Sequence, residues 1–511
     1  MAAPQPTADQ ASDQTGDRTA APMMSVRAAA VWALISQYAS FALQFVASIV
    51  LARWYITPDQ LGRFSIAFAA VTLVAFLQDF GVTRYINGER ELTAEKLRSA
   101  FTISVIFAWG IALLALASAW PIALFYGDPQ LLPITLVIAA SYLLVPLAIV
   151  PQATCQRRMD YRSNTMIEVG AAVANALTAL VLAILGHGAL ALAWGAFAQQ
   201  AARLLISQWR SGGMLPWPPK IARAADVMAL GGTNTVQVVC SSLSARAPEL
   251  VIGRMIDSAA VGLFARASGL ALQLRLLIAG AVTGVFYPAF RRIRDSGDPL
   301  GPPYLRVLAA YTGVTWPAMA GIAVLGEPLI RLLYGERWMA AAPLLTWVAL
   351  SQIGYVALPL YADLPVLMGR LKPLMRCMII ETVLSVVLIA LAAPLGLEWV
   401  AASRVVHAAL WVLIYLPLLA STLELRYREI MLVWLRSAAV SLAAVLPVLL
   451  GFVMGQGPGE LGLVQAASTV ALGIVLWFAA LRVLGHPLFA EIHEIARGLL
   501  LIIRRSSLAT R

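Results

Sequence analysis

The sequence predicts an all-α polytopic membrane protein with about 14 transmembrane helices, arranged as two pseudo-symmetric six-helix bundles plus two extra C-terminal helices. Hydrophobic residues make up 60% of the 511 and charged residues only 12%, more apolar content than a soluble core needs. Runs of about 20 apolar residues recur along nearly the whole length, enough for a helix to cross about 30 Å of hydrocarbon, whereas barrel strands would show about ten alternating residues. The basic residues behind the net charge of +11 lie scattered between those runs instead of on one polar domain. They read as topology signals, and no nucleic-acid partner is expected.

Taken in order, residues 1–25 are rich in Ala, Pro, Gln, Thr and Asp without periodicity, and lack the basic start and apolar run of a secretory signal. This predicts a disordered cytoplasmic tail. The first bundle, 26–210, holds predicted spans at 28–52, 62–83, 99–120, 131–152, 164–186 and 188–208. A cytoplasmic linker at 211–225 follows, containing the helix-breaking SGGMLPWPPKIAR. The second bundle, 226–420, holds spans at 227–252, 259–288, 304–325, 340–362, 373–394 and 399–420. Two additional helices, 431–454 and 462–483, occupy 421–484. In the tail 485–511, Phe489, Ile492, Ile495, Ala496, Leu499 and Ile503 recur at helical spacing beside Arg497, Arg504 and Arg505, the pattern of an amphipathic helix on the inner leaflet.

Loop charge sets the orientation. With the N-terminus inside, most basic residues fall in cytoplasmic loops, and the opposite loops keep only Arg53, Arg63, Arg254, Arg331, Arg337 and Arg404. Both termini are therefore expected to be cytoplasmic. Trp54, Tyr55, Trp120, Tyr126, Trp338 and Trp399 would then form an aromatic belt at the outer interface.

The chain repeats itself. LARWYITPDQLGRF near Leu51 parallels VIGRMIDSAAVGLF near Val251, setting Arg53 against Arg254 and Gly62 against Gly262. PIALFYGD at Pro121 parallels PLIRLLYGE at Pro328, and further pairs match Arg158 with Arg370 and Glu168 with Glu381. The offsets stay between 200 and 213 residues, as a duplicated half of about six spans would give. An even number of spans makes the two copies parallel, and facing repeats are how alternating-access transporters build a central site.

Charge inside the spans points to that site. Arg246 and Glu249 sit within Gly231 to Arg254, each costing roughly 2.5–3.5 kcal/mol if left facing lipid. Thr235, Ser242, Arg246 and Glu249 fall near one helix face, which predicts a wet side turned toward a cavity; the alternative is that Arg246 and Glu249 pair one turn apart and snorkel. Arg266 and Arg275 lie in the next span, nine residues apart, so an ideal helix turns them to opposite faces. Ser36, Gln37, Ser40, Gln44 and Ser48 stripe the first span, and Ser65, Thr72 and Asp79 the second. The Ser and Thr positions are read as interhelical hydrogen bonds. Asp79, Glu168 and Glu381 are expected near cytoplasmic ends beside Arg84, Arg162 and Arg376.

The motifs LARWYITPDQLGRFSIAF, DFGV (Asp79 to Val82), FYGDP (Phe125 to Pro129), QRRMDYR (Gln156 to Arg162), AVGLFARASGL (Ala260 to Leu270) and LIRLLYGERW (Leu329 to Trp338) occur in an order that resembles the polysaccharide transporter family. These are Wzx-type lipid-linked oligosaccharide flippases of the superfamily that also holds multidrug and toxic-compound extrusion (MATE) transporters. The resemblance covers about residues 25 to 425. It implies a bacterial inner-membrane protein that moves an undecaprenyl-diphosphate-linked oligosaccharide from the cytoplasmic to the periplasmic leaflet for exopolysaccharide, O-antigen or capsule assembly. ARAPELVIGR departs from the family pattern of an arginine followed by Asp and Asn, with Pro248 and Glu249 at those polar positions.

For such a cargo, arginine supplies a permanent charge and paired donors to phosphate oxygens. The expected substrate-binding residues are Arg246, Arg275 and Arg266, with Arg53 and Arg254 at the outer mouth; Glu249 or Asp79 is the expected group for proton or sodium coupling. Expected partners are the lipid-linked oligosaccharide and membrane lipids, with a polysaccharide polymerase and export proteins beyond them. No GxxxxGK[ST] loop is present, since none of Lys96, Lys220 or Lys372 follows a glycine. Cys155, Cys240 and Cys377 and four dispersed histidines indicate neither a disulfide framework nor a metal or other cofactor site. An ion-coupled multidrug or cation extruder of the same superfamily is the alternative. A membrane glycan ligase or polymerase is disfavoured by outer loops of about fifteen residues or fewer, and no enzyme motif appears.

Overall fold

The computed structural model describes residues 26–75, 82–89, 93–213, 218, 235–454 and 463–493. The N-terminal tail, Asp79, nearly all of the predicted linker after Gly213 and the tail beyond His493 lie outside the described residues.

The described chain is all-helical. The first half comprises α1 (Val26–Val50), α2 (Pro58–Ala75), α3 (Val82–Gly88), α4 (Ala94–Tyr126), α5 (Leu131–Ser141), α6 (Val145–Arg157), α7 (Tyr161–Ile184) and α8 (Ala189–Ser211). The second comprises α9 (Thr235–Met255), α10 (Ser258–Ser296), α11 (Gly301–Val324), α12 (Gly326–Tyr334), α13 (Ala342–Tyr355), α14 (Asp363–Leu367), α15 (Leu371–Ala392) and α16 (Leu397–Leu423). Two more, α17 (Tyr427–Val453) and α18 (Leu463–Val483), pack on α11, where Trp477 Nε1 donates to the Gly313 carbonyl at 2.9 Å.

Local chemistry sets the helix ends. Asp257 caps α10 by accepting from the Ala260 amide at 2.7 Å, and Gly297 ends it at φ 81°, a left-handed position that glycine adopts without steric cost. Among the described residues ten helical segments are long and apolar enough to cross a membrane. The chain is thus a multi-pass membrane protein. The polar α9 is not among the ten, because its serines, Arg246 and Glu249 dilute its apolar content. Several predicted borders shift. The span at 131–152 breaks into α5 and α6 ahead of Pro146, and the one at 340–362 ends as a helix at Tyr355. The eighth span continues to Ser296.

The halves share a hydrophobic core at one end only. That core joins Ala52, Ile66 and Ile134 of the first half to Val261, Phe264 and Trp338 of the second. At the far end each half has its own core, around Ile86, Phe101 and Val150 in one and Tyr304, Leu374 and Tyr415 in the other. At the shared end Gly62 of α2 crosses Gly262 of α10 so closely that a Cβ on either would run into the other helix's backbone. Ser258 Oγ donates to Asp59 there, Arg53 to the Leu332 carbonyl, and Tyr126 Oη to the Leu250 carbonyl at 3.0 Å.

Two expectations fail here. Trp338 is no belt residue: it is fully buried, with Nε1 donating to the Ala52 carbonyl at 2.8 Å, because a donor inside a shared core must find an acceptor there. Trp54, Trp120 and Trp399 are exposed on the helical surface. Ser48 does not bond between helices either; its hydroxyl donates one turn back to the Phe45 carbonyl of α1, which satisfies it without a neighbour.

Candidate functional site

A cavity of about 390 Å³ lies at mid-depth in the second half, bounded by α9, α10, α13, α15 and α16. Its charged lining is Glu249, Arg275, Glu381 and Arg404, set among serines and the rings of Phe264, Tyr355, Tyr361 and Trp411. Two guanidiniums thus face two carboxylates. Intramembrane charges of this kind are tolerated where they face a bundle interior and each other rather than lipid.

The helices position these groups by register. On α9, Ser241, Ser244, Ala245, Pro248 and Glu249 fall one turn apart along a single face and turn it to the cavity. Ser244 Oγ donates to Glu381 Oε1 at 2.8 Å, tying α9 to α15. Arg275 enters from α10, and no carboxylate pairs with it among the described residues. From α16, Arg404 Nη1 donates to Ser385 Oγ at 2.8 Å and its guanidinium sits 5.6 Å from the Tyr355 ring centroid. Behind this wall His407, 1% exposed, receives the Tyr355 hydroxyl at Nδ1 (2.6 Å) and faces the Glu381 carbonyl with Nε2 (3.1 Å). Glu249 Oε2 is buried without a hydrogen-bond partner among the described residues.

The predicted residues separate. Arg275 and Glu249 line the cavity. Arg246 points from α9 toward the first half, its guanidinium 5.1 Å from the Phe68 ring centroid. Arg266 stays out of the cavity, held 4.7 Å from the Tyr334 ring and 5.1 Å from the Trp338 ring in the shared core, where cation–π contact takes the place of a carboxylate. Arg53 and Arg254 lie at the shared end against Trp54 and Phe125. Asp79 is outside the described residues.

Four participants escaped the sequence reading. Arg404 counted as an outer-loop residue, yet it lies inside α16, three residues from His407. That spacing within an apolar stretch was the available signal. Glu381 was expected to pair with Arg376; instead α15 turns it inward to Ser244. Its repeat partner Glu168 takes Arg203 Nη2 at 2.9 Å and Gln152 Nε2 at 2.6 Å, not Arg162. Tyr355 gave no signal. Cys155, Cys240 and Cys377 are free thiols, and no metal-ligand cluster occurs among the described residues.

Solved structures share this fold of a multi-pass helical membrane protein. The chain is similar to "Lipid II flippase MurJ, inward closed conformation" at TM-score 0.68 and 12% identity, covering 89% of this chain and 98% of that one. It is also similar to an inward-facing multidrug resistance MATE family transporter of the MOP superfamily at TM-score 0.58 and 15% identity, covering 77% and 98%. The chain belongs to the family described as "Polysaccharide biosynthesis protein", which it matches over residues 50–343. Relatives include the "Succinoglycan biosynthesis transport protein ExoT" of Rhizobium meliloti (strain 1021), 24% identical over 328 residues, 63% of this chain and 65% of that protein. Another is the "Lipopolysaccharide biosynthesis protein WzxC" of Escherichia coli (strain K12), 22% identical over 323 residues, 62% of this chain and 64% of that protein. The matched stretch thus spans just under two thirds of the length of these two relatives.

Proposed function

We propose that this protein is a flippase that moves an undecaprenyl-diphosphate-linked oligosaccharide from the cytoplasmic to the periplasmic leaflet of the bacterial inner membrane by alternating access, for exopolysaccharide, O-antigen or capsule assembly. The observation that carries the reading is Arg275, a guanidinium in a cavity inside the membrane with no carboxylate partner among the described residues. A polar headgroup crossing hydrocarbon leaves every unsatisfied group costing several kcal/mol, so a protein that moves one must offer an interior polar path. Arg275 and Arg404 supply that path with fixed positive charge suited to phosphate oxygens.

Loop charge puts the shared end, with Arg53, Gly62 and Arg254, on the periplasmic side and both termini in the cytoplasm. The halves then close toward the periplasm through the Gly62–Gly262 crossing and separate toward the cytoplasm, where the cargo is made. Glu249, whose buried oxygen has no partner among the described residues, is the ion-coupling group. A polysaccharide polymerase and export proteins would take the product onward.

Glu249, Glu381 and the rings of Tyr355, Tyr361 and Trp411 favour a second reading, a cation extruder, since carboxylates and aromatic faces also hold organic cations. One experiment separates the two. Arg275→Ala is expected to abolish surface polysaccharide while the protein stays in the membrane at normal abundance; normal polysaccharide in that variant removes Arg275 from the mechanism, and heightened sensitivity to cationic dyes favours the second reading.

A further inference from the structure

Glu381 is tied to α9 through its carboxylate and to α16 through its backbone carbonyl, with α13 bonded behind the α16 contact. From α9, Ser244 donates to Oε1 at 2.8 Å. From α16, His407 Nε2 stands 3.1 Å from the Glu381 carbonyl oxygen and 3.8 Å from Oε1. Both of those neighbours are acceptors, so Nε2 carries the ring proton, and Nδ1 accepts from the Tyr355 hydroxyl of α13 at 2.6 Å. With both ring nitrogens occupied, His407 takes up a further proton only by breaking the Tyr355 bond.

The other charged and titratable neighbours are Glu249 on α9, Arg275 on α10 and Arg404 on α16, all lining the same cavity. Tyr361 follows α13, Cys377 precedes Glu381 by one turn on α15, Cys240 lies on α9 and Tyr415 on α16. Among these, two guanidiniums balance two carboxylates. Balance is a poor state for a cavity that must hold an anion, and the loss of one negative charge would change it. The phenols and thiols begin neutral, so they supply no such change.

We propose that the Glu381 carboxyl is an exchangeable proton site, backed by His407 and Tyr355 as positioning residues, and that its neutralisation turns the cavity net cationic so that an anionic headgroup binds together with the proton. A proton leaves cavity water and joins a carboxylate oxygen of Glu381, removing one negative charge while Arg275 and Arg404 stay charged. By linkage, anion affinity then rises as pH falls through the Glu381 titration, by at most about tenfold per pH unit for one coupled proton. The anion half of this proposal rests on the lipid-diphosphate reading above; the proton half does not.

The test uses the full chain in lipid nanodiscs. Infrared titration should show a protonated-carboxyl band growing on acidification, part of it missing in Glu381→Gln and a separate part missing in Glu249→Gln. His407→Gln and Tyr355→Phe should move the midpoint of the Glu381 band without removing it, and a purely structural role would leave that midpoint in place. Calorimetry with inorganic pyrophosphate should show wild-type affinity rising on acidification, while Glu381→Gln binds tightly with a flattened pH profile. An infrared titration identical in wild type and Glu381→Gln overturns the proposal, as does an unchanged pyrophosphate pH profile in that variant. If pyrophosphate binds neither protein at any pH while the Glu381 band titrates, the lipid-diphosphate reading falls and the proton site stands. Should Glu381→Gln fail to fold, Ser244→Ala serves instead: losing the donor to Oε1 makes the band appear at higher pH, and an unmoved band overturns the proposal.

Discussion

Gly62 and Gly262 touch reciprocally: a Cβ on Gly62 would be driven into the Ser258 carbonyl oxygen, and one on Gly262 into the Pro58 carbonyl oxygen. Gly62 and Gly262 are 200 residues apart in sequence, as are Pro58 and Ser258, so the contact is its own image, as a twofold between copies of a repeat gives. Side chains larger than hydrogen have no room there.

That crossing predicts a conformational phenotype. Gly62→Ala and Gly262→Ala should each weaken the closed shared end, by about 1–3 kcal/mol as for other overpacked contacts. Cysteines placed beside the crossing, at Ser258 for example, should then label faster when a membrane-impermeant reagent is added to intact cells, given the proposed orientation. Labelling no faster than in the parent background would show that the crossing does not hold this end shut.

Arg266 and Arg275 should part company. Arg266→Met loses stacking on Tyr334 and Trp338, so thermal stability should fall by roughly 0.5–2 kcal/mol while pyrophosphate binding is retained. Arg275→Met should do the reverse. Equal loss of binding in both variants would contradict the placement of Arg266 outside the cavity.

Arg404 should matter as much as Arg275. Arg404→Ala removes a cavity guanidinium and its hydrogen bond to Ser385, and is expected to abolish surface polysaccharide at normal protein abundance. Arg404→Lys keeps the charge but loses the planar fork, so partial activity is expected. Wild-type polysaccharide in Arg404→Ala would exclude it from cargo handling.

His486, beyond the end of α18, supplies a pH test of stability. Burial, helped by the positive charge of Arg436, holds its pKa down at about 4, and its Nε2 pairs with Ser437 Oγ at 3.1 Å beside Thr312. Between about pH 6.5 and 4 the unfolded chain therefore binds the proton that the folded protein refuses, so stability is complete above that window and is lost as pH falls through it. The loss is on the order of 1–3 kcal/mol. Thermal melts of His486→Gln should lack this part of the acid sensitivity; identical slopes in both proteins would exclude the histidine as its source.

Helical class, multi-pass insertion and the internal repeat were all legible in the sequence, because crossing hydrocarbon demands backbone bonds satisfied within each segment and long local runs of apolar residues. Arg275 and Glu249 were legible for the same reason, as charges that stand out against apolar neighbours. Tertiary structure alone decided which polar groups meet. Ser244 and Glu381 are 137 residues apart, and the bond between them depends on how α9 and α15 rotate about their own axes when packed. Helical periodicity says which residues share a face, but packing chooses what that face sees; so Arg266 went to a pair of rings, Trp338 went to the core, and Arg404, expected in an outer loop, joined the wall of the cavity.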